Sequence, residues 1–320
     1  TETAGELDLA EDSSVMVDQL PLGDSNIIYK ENAMYSMTPS GGQDIFRFQR
    51  LPGNVGALTQ NCVVNTPLGH VVLTPGDVII HSGQGARSII TARIRKWLFS
   101  RIDSLNRNRS FVALNPVMNE VLICFPQLGD EVCTLAVVWN WVEDNWSIRE
   151  LNNATCSGAG QLNYGAANSW AAATETWDTI TGAWNQDELS PAQQRMLIGS
   201  SAPLISVIDV TASFNGTPYT SFLEKTGIHL DAPDRVKLIR AIYPRINAAT
   251  GTRVQFQIGA SMDVEGDITW ADPVIYTVGT TYKVDSFSSG RFPAMRIQSI
   301  DNTPFEFRSM DIDYVLMGSY

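Results

Sequence analysis

Short apolar runs of strand length recur almost from one end of this chain to the other, and they limit it to a fold built of β-sheets. Examples are "SNIIYK", "DIFRFQRL", "HVVLT", "DVIIHS", "EVLICFP", "LAVVWNW", "RVQFQIGA", "PVIYTV" and "FEFRSMDIDYVLM". Each is five to thirteen residues long and rich in Val, Ile, Phe, Tyr or Trp, the residues that suit a pleated surface. Between them stand "TPSGG", "LPGN", "LTPGD", "NAATG", "DVEGD" and "SSGRFP", which carry the Gly, Pro, Asn and Asp that tight turns require. The expectation is a mostly β protein in which antiparallel strands follow one another through short connections.

The stretch "AVVWNWVEDNWSIREL", Ala136 to Leu151, shows the period most clearly. Val137, Trp139 and Trp141 fall on one side of an extended chain and Ala136, Val138 and Asn140 on the other. Glu143, Asp144 and Asn145 suit a turn, and Trp146, Ile148 and Glu150 then alternate with Ser147, Arg149 and Leu151. This is a hairpin with aromatic cross-strand pairs, and Trp139, Trp141 and Trp146 are assigned to packing between neighbouring sheets.

One helix interrupts the strands, predicted over Arg87 to Asp103 in "RSIITARIRKWLFSRID", with Ile90, Ile94, Trp97, Leu98 and Arg101 at intervals of three and four and Ser88 as its cap. Its polar side and the following loop carry Arg93, Arg95, Lys96, Arg101, Arg107 and Arg109. With Arg87 that makes seven basic residues between positions 87 and 109 against one acid, Asp103, in a chain whose net charge is −12. Such an excess is either a solvated face paired with neighbours or a contact surface for DNA or an acidic patch on an adjoining subunit.

The order of elements predicts propeller-like blades. "FVALNP", "VLICFP", "AVVWNW" and "WSIREL" form one four-stranded unit, and the rhythm repeats between Thr174 and Gly227 through "TETWDTITGAWNQDEL", "MLIGSS", "LISVIDV" and "YTSFLEKTG". Beyond Asp231 the text changes to strands expected to make a compact β-sandwich or a closing sheet. The chain therefore divides, on sequence, into an acidic N-terminal segment (1–26), a propeller-like region (27–230) and a C-terminal β-rich region (231–320).

Signatures of chemistry are few. No nucleophile elbow, Walker loop, dinucleotide fingerprint or zinc-protease helix occurs. The glycines of "HSGQGARS" read as a turn. His70, His81 and His229 each neighbour an apolar strand and lack a second histidine at metal-ligand spacing. Cys62, Cys124, Cys133 and Cys156 lack the spacing of a zinc site and read as free thiols, buried where they lie in apolar runs. The carboxylates Glu143, Asp144, Asp178, Glu188, Asp263, Glu265 and Asp267 fall in expected turns. Trp139, Trp141, Trp146, Trp170, Trp177 and Trp184 offer the alternative of a carbohydrate platform. The expectation is no catalytic residue, no cofactor and no metal. No apolar run reaches the twenty or so residues that span a bilayer, which predicts a soluble chain. The start at Thr1, in "TETAGELDLAEDSS", is that expected of a processed chain or a piece of a longer one.

The runs "IIYKENAMYSM", "IFRFQRLPGNVGALTQNCVVNTPLGHVVLTPGDVIIHSGQGARSI", "RIRKWLFSRI", "FVALNPVMNEVLICFP" and "AVVWNWVEDNWSIREL" resemble the tail and neck β-propeller proteins of short-tailed bacteriophages, described as packaged-DNA stabilisation, tail nozzle or tail tubular proteins. So do "RVKLIRAIYPRINAATGTRVQFQIGASM" and "RFPAMRIQSIDNTPFEFRSMDIDYVLMGSY", and the likeness covers residues 27 to 320. It implies a non-enzymatic structural protein of the virion, made in the host cytoplasm and placed at the portal vertex. It further implies a homo-oligomeric ring, hexameric by family likeness, beneath the portal and adaptor, which retains genomic double-stranded DNA and forms part of its ejection path, with no small-molecule substrate. The chain departs from the family on its N-terminal side, where it is shorter than a full set of blades requires. The alternative readings are a glycan-degrading or a glycan-binding β protein on the virion.

Overall fold

A computed structural model describes residues 8–41, 45–161, 194–211, 213–214 and 217–319. It is mostly β, in several antiparallel sheets, with one α-helix among the described residues. The chain divides into two compact units at Asp209/Val210.

The first unit contains two successive four-stranded meanders. Strands β1 (Met16–Leu22), β2 (Ser25–Lys30), β3 (Met34–Pro39) and β4 (Phe46–Arg50) form one; β1 thus arises inside the acidic N-terminal segment. Strands β5 (Val63–Thr66), β6 (Gly69–Leu73), β7 (Val78–His81) and β8 (Ala86–Ser88) form the next. A helix, α1 (Ala92–Phe99), and a 3-10 turn, Arg107–Arg109, lead to a third sheet. This holds β9 (Phe111–Asn115), β10 (Glu120–Phe125), β11 (Cys133–Asn140), β12 (Asn145–Gln161), β13 (Gln194–Ser200) and β14 (Ile205–Val207), in sequence order.

These sheets stack, and the second one lies in the middle. On one face Val72 and Ile79 join Ile27, Tyr29 and Met34 of the first sheet in a shared core. On the other, Val71, Leu73, Val78 and Ile80 meet Val112, Val121, Ile123, Phe125, Val137 and Trp139 of the third. A strand covered on both faces has no polar side to alternate with, which is why "HVVL" and "VIIH" read as unbroken apolar runs. Burying an aliphatic side chain of this kind contributes about 1.5–3 kcal/mol, so the interlayer contacts dominate the stability of the unit. The loop before β5 is drawn tightly onto the first sheet, where a Cβ at Gly56 would overlap the Lys30 carbonyl oxygen.

The third sheet departs from the expected repeat. "MLIGSS" and "LISVIDV" do not begin another four-stranded unit; as β13 and β14 they extend the sheet that β9 to β12 began. The 17-residue β12 makes this possible. Its first half pairs with β11 and its second with β13, and the ladder shifts register around Ala154, next to Asn153 at φ 49°. Such an irregularity bends a strand and sharpens its twist. The sheet accordingly curls, bringing β9 against β12 and β13 and enclosing Phe111, Leu122, Cys124, Ala136, Val138 and Met196 on its inner face.

The second unit starts with a two-stranded pairing of β15 (Ser213–Phe214) with β16 (Thr217–Pro218). Its larger sheet has the order β17-β23-β19-β20, with β21 also paired to β19. The ranges are β17 (Phe222–Lys225), β19 (Arg253–Ser261), β20 (Thr269–Trp270), β21 (Val274–Thr277) and β23 (Phe292–Ser299). A three-stranded sheet places β18 (Arg235–Ala248) between β22 (Val284–Gly290) and β24 (Phe305–Ser319). Ile239 and Ile242 of β18 share one core with Val254, Phe256, Ile258, Met295 and Ile297 of the larger sheet. "YTSFLEKTG", read on sequence as part of the blade rhythm, supplies β17 to this unit instead. Lys237 is fully buried here, its ammonium donating to the carbonyls of Ala232 and Arg291.

Candidate functional site

The basic segment runs from β8 through α1 to the start of β9, and its anchoring is legible residue by residue. The helix is two turns long, shorter than the predicted Arg87–Asp103 span. Ser88 does not cap it: Ser88 lies in β8, and Thr91 stands at the cap position. The far end stops because other partners capture the backbone, with Ile102 bridging to Gln127 and the Asp103 N–H donating to the Pro126 carbonyl at 3.0 Å. Leu98 is fully buried and Trp97 meets Phe125 edge-on at 6.4 Å, so the apolar stripe seats the helix on the stacked sheets.

Two of the basic residues serve the fold. Arg95 donates to Asp77 at 2.9 Å and to the Ser88 hydroxyl at 2.7 Å, while Ser88 donates to Asp77 at 2.9 Å. That closed network ties the helix to the turn before β7 and pairs the Arg95 charge within the fold. The Arg101 guanidinium lies over the Trp97 ring at 4.6 Å, a cation–π contact that leaves its charge uncompensated.

Arg87, Arg93, Lys96, Arg107 and Arg109 are exposed and, like Arg101, form no ion pair among the described residues. The one acid of the segment is already engaged. Buried Asp103 accepts from the Leu105 N–H at 2.9 Å and from the Asn106 amide, and these hydrogen bonds, the Leu105 N–H foremost, hold its carboxyl below the usual carboxylate range. Arg93 and Lys96 are three residues apart on the helix and so are surface neighbours. The 3-10 turn bearing Arg107 and Arg109 is held from beneath by two thiols. Cys133 Sγ donates to the Arg109 carbonyl at 3.2 Å and Cys62 Sγ to the Ser110 carbonyl at 3.4 Å. Burial pushes both thiols up to about 12, so they stay protonated and able to donate.

The tryptophan hairpin is a packing element. Trp139 is buried in the core between the second and third sheets, with Trp141 and Trp146 packed against that core. Trp139 and Trp146 are register partners whose rings stack at 6.1 Å, and the Trp139 indole N–H donates to Asp144 at 3.0 Å. The Asn140 side-chain oxygen accepts from the Val142 and Glu143 N–H groups, so the acids of this turn serve its geometry. Asp263, Glu265 and Asp267 are exposed turn residues of the second unit. Trp170, Trp177, Trp184, Asp178 and Glu188 lie outside the described residues.

The histidines correct the reading of isolated residues. His70 and His81 are register partners across the β6–β7 hairpin, and the Tyr29 hydroxyl stands 2.7 Å from His70 Nδ1 and 2.5 Å from His81 Nε2. The polarity of this chain follows from its ends. The Gly83 N–H donates to His81 Nδ1, so a neutral His81 carries its proton on Nε2 and donates to Tyr29; His70 Nε2 lies 3.0 Å from the Pro21 carbonyl, which only accepts. Tyr29 therefore donates to His70 Nδ1, and both rings are neutral. Burial drives His81 down to about 4 and lowers His70 as well, while it raises the Tyr29 hydroxyl. His229 is exposed. Cys62, Cys124 and Cys133 are buried thiols and Cys156 is exposed. Among the described residues no group of three His, Cys, Asp or Glu side chains is placed to hold a metal ion, and no helix is long and apolar enough to cross a membrane.

The chain matches no protein-family model and shows no significant sequence similarity to a curated protein.

Proposed function

We propose that this chain is a structural, non-enzymatic component of a bacteriophage tail or neck, which assembles as a ring beneath the portal and adaptor and retains and conducts packaged double-stranded DNA. The observation that carries the reading is the charge arrangement. In a chain of net charge −12, six of the seven basic residues between positions 87 and 109 have no ion pair among the described residues. A DNA conduit must hold its cargo weakly, because every phosphate neutralised by Lys or Arg strengthens binding regardless of sequence. An acidic body with one confined basic segment meets that requirement. Stacked antiparallel meanders are also what propeller blades are made of, and on this reading the first two sheets are successive blades and the curled third sheet a modified one. Its place is the virion, at the portal vertex, with the portal, the adaptor and other tail proteins as neighbours.

The burial of Trp139 and the stacking of Trp146 upon it leave that hairpin no open aromatic platform, which weighs against the glycan-binding alternative. The test is electron microscopy of the parent particle together with the charge reversal Arg93→Glu/Lys96→Glu. A ring around an axial channel at one vertex, with DNA retention or ejection altered in the variant, is the expected result. Copies at fibre tips, or particles that package, retain and eject DNA as wild type does, would overturn the reading.

A further inference from the structure

Beside the 3-10 turn lies a recess of about 130 Å³ whose wall is mainly polar, formed by Gln60, Asn61, Asn108, Arg109, Ser110 and Thr155, with Phe111, Val132 and Ala154 completing it. These come from three separate stretches of chain, ahead of β5, ahead of β9 and at the bend of β12. The side chains of Gln60, Asn61, Asn108 and Arg109 have no partner among the described residues, although each carries hydrogen-bond donors. Thr155 already donates to the Gly199 carbonyl at 3.1 Å. Ser110 supplies the second, independent observation: it is 2% exposed, and its hydroxyl has no hydrogen-bond partner among the described residues. Buried hydroxyls are normally satisfied, and one that is not calls for a missing partner.

The surroundings are rigid as well as polar. The Asn61 carbonyl accepts from the Val112 N–H at 2.8 Å, and the two buried thiols hold the carbonyls of Arg109 and Ser110. The Asp18 carboxylate accepts from the Asn61 N–H at 2.8 Å. The recess thus gathers one guanidinium, side-chain amides and a hydroxyl, each able to donate a hydrogen bond. A phosphoryl group offers several acceptor oxygens at once and so can accept from a guanidinium, amides and a hydroxyl together.

We propose that this recess is a binding site for one phosphoryl group, held by the Arg109 guanidinium, the Ser110 hydroxyl and the side-chain amides of Asn61 and Asn108. The group is either a phosphodiester of duplex DNA or free phosphate. The first source rests on the function proposed above, and the site itself does not.

The experiment titrates the full chain with inorganic phosphate and, separately, with a short duplex oligonucleotide, following affinity by calorimetry for wild type, Arg109→Gln, Ser110→Ala and Arg93→Glu/Lys96→Glu. Phosphate binds the wild type, Arg109→Gln weakens it at least tenfold, and Ser110→Ala weakens it several-fold. Ser110→Ala removes a partnerless hydroxyl, so its melting temperature is at least that of wild type and its loss of binding is not unfolding. If the duplex is weakened by the same two substitutions, its backbone is the occupant. Phosphate binding with a duplex that ignores all three variants leaves the site standing with free phosphate as its ligand and removes the DNA reading. A duplex lost in Arg93→Glu/Lys96→Glu but indifferent to Arg109 and Ser110 likewise removes the DNA reading of the recess, whereas phosphate that does not bind, or binds all variants alike, overturns the site.

Discussion

Acidification is expected to loosen the first unit through His81. Its imidazole is buried between the first two sheets, with Nε2 donating to Tyr29 and Nδ1 accepting from the Gly83 N–H, so both nitrogens are used and neither can take a further proton without breaking a bond. In the folded chain its pKa falls from 6.5 to about 4. A depressed histidine means that the unfolded chain binds the proton first. The neutral ring's contribution is therefore complete above pH 6.5 and is lost as pH falls from there toward 4. At about 1.4 kcal/mol per pKa unit the full displacement corresponds to about 3.5 kcal/mol, of which about 2.5 kcal/mol is gone by pH 4.5. The assay is urea unfolding followed by tryptophan fluorescence at pH 7.5 and 4.5, for wild type and His81→Gln. Carboxylates also titrate in that interval, so the informative quantity is the difference between the two proteins' pH dependences. His81→Gln, less stable at pH 7.5 for want of good partners, should lose about 2.5 kcal/mol less on acidification than wild type. Equal losses in both proteins would refute the buried relay, and so would a histidine resonance of the folded protein titrating near 6.5 for this ring.

Other positions give independent checks. Gly56→Ala forces a Cβ onto the Lys30 carbonyl, a backbone atom that cannot swing aside; a loss of about 3 kcal/mol in unfolding free energy, read from urea unfolding, is expected, as for other forced backbone shifts. Arg95→Met breaks the network with Asp77 and Ser88 and should cost about 1 kcal/mol, whereas Arg93→Glu, exposed and without an ion-pair partner among the described residues, should leave the thermal midpoint unchanged. Of the four cysteines only Cys156 is exposed, so brief alkylation of the native protein followed by mass analysis should label that thiol alone, and all four in denaturant. Labelling of Cys62 or Cys133 at the native rate of Cys156 would contradict the buried thiols beneath the 3-10 turn.

What could be read from the residues was local. Period-two alternation set Val137 and Trp139 against Ala136 and Val138, and those pairs do face different cores. The count of charges located the basic segment. The approximate mirror symmetry of "HVVLTPGDVIIH" about its turn also held the His70–His81 pairing, since a four-residue turn at Thr74–Asp77 puts those two positions opposite each other. Treating each histidine singly missed it.

The tertiary structure decided whatever depended on residues distant in the chain. Arg95 and Arg93 look alike in sequence, but only Arg95 meets Asp77 and Ser88, because only the docked helix brings them within reach. Tyr29 meets the two histidines only when the first sheet lies on the second. Strand rhythm allowed β13 and β14 to open a new sheet; the bend of β12 at Asn153 sent them onto the old one. The recess around Ser110 is invisible in the text, since Asn61, Arg109 and Thr155 are ordinary surface residues until the fold gathers them. Hydrophobic pattern and turn chemistry act within a few residues and so are written in the sequence. Which polar groups find partners is fixed by long-range packing, and in this chain that packing separates the charges that hold the fold from those left free to bind.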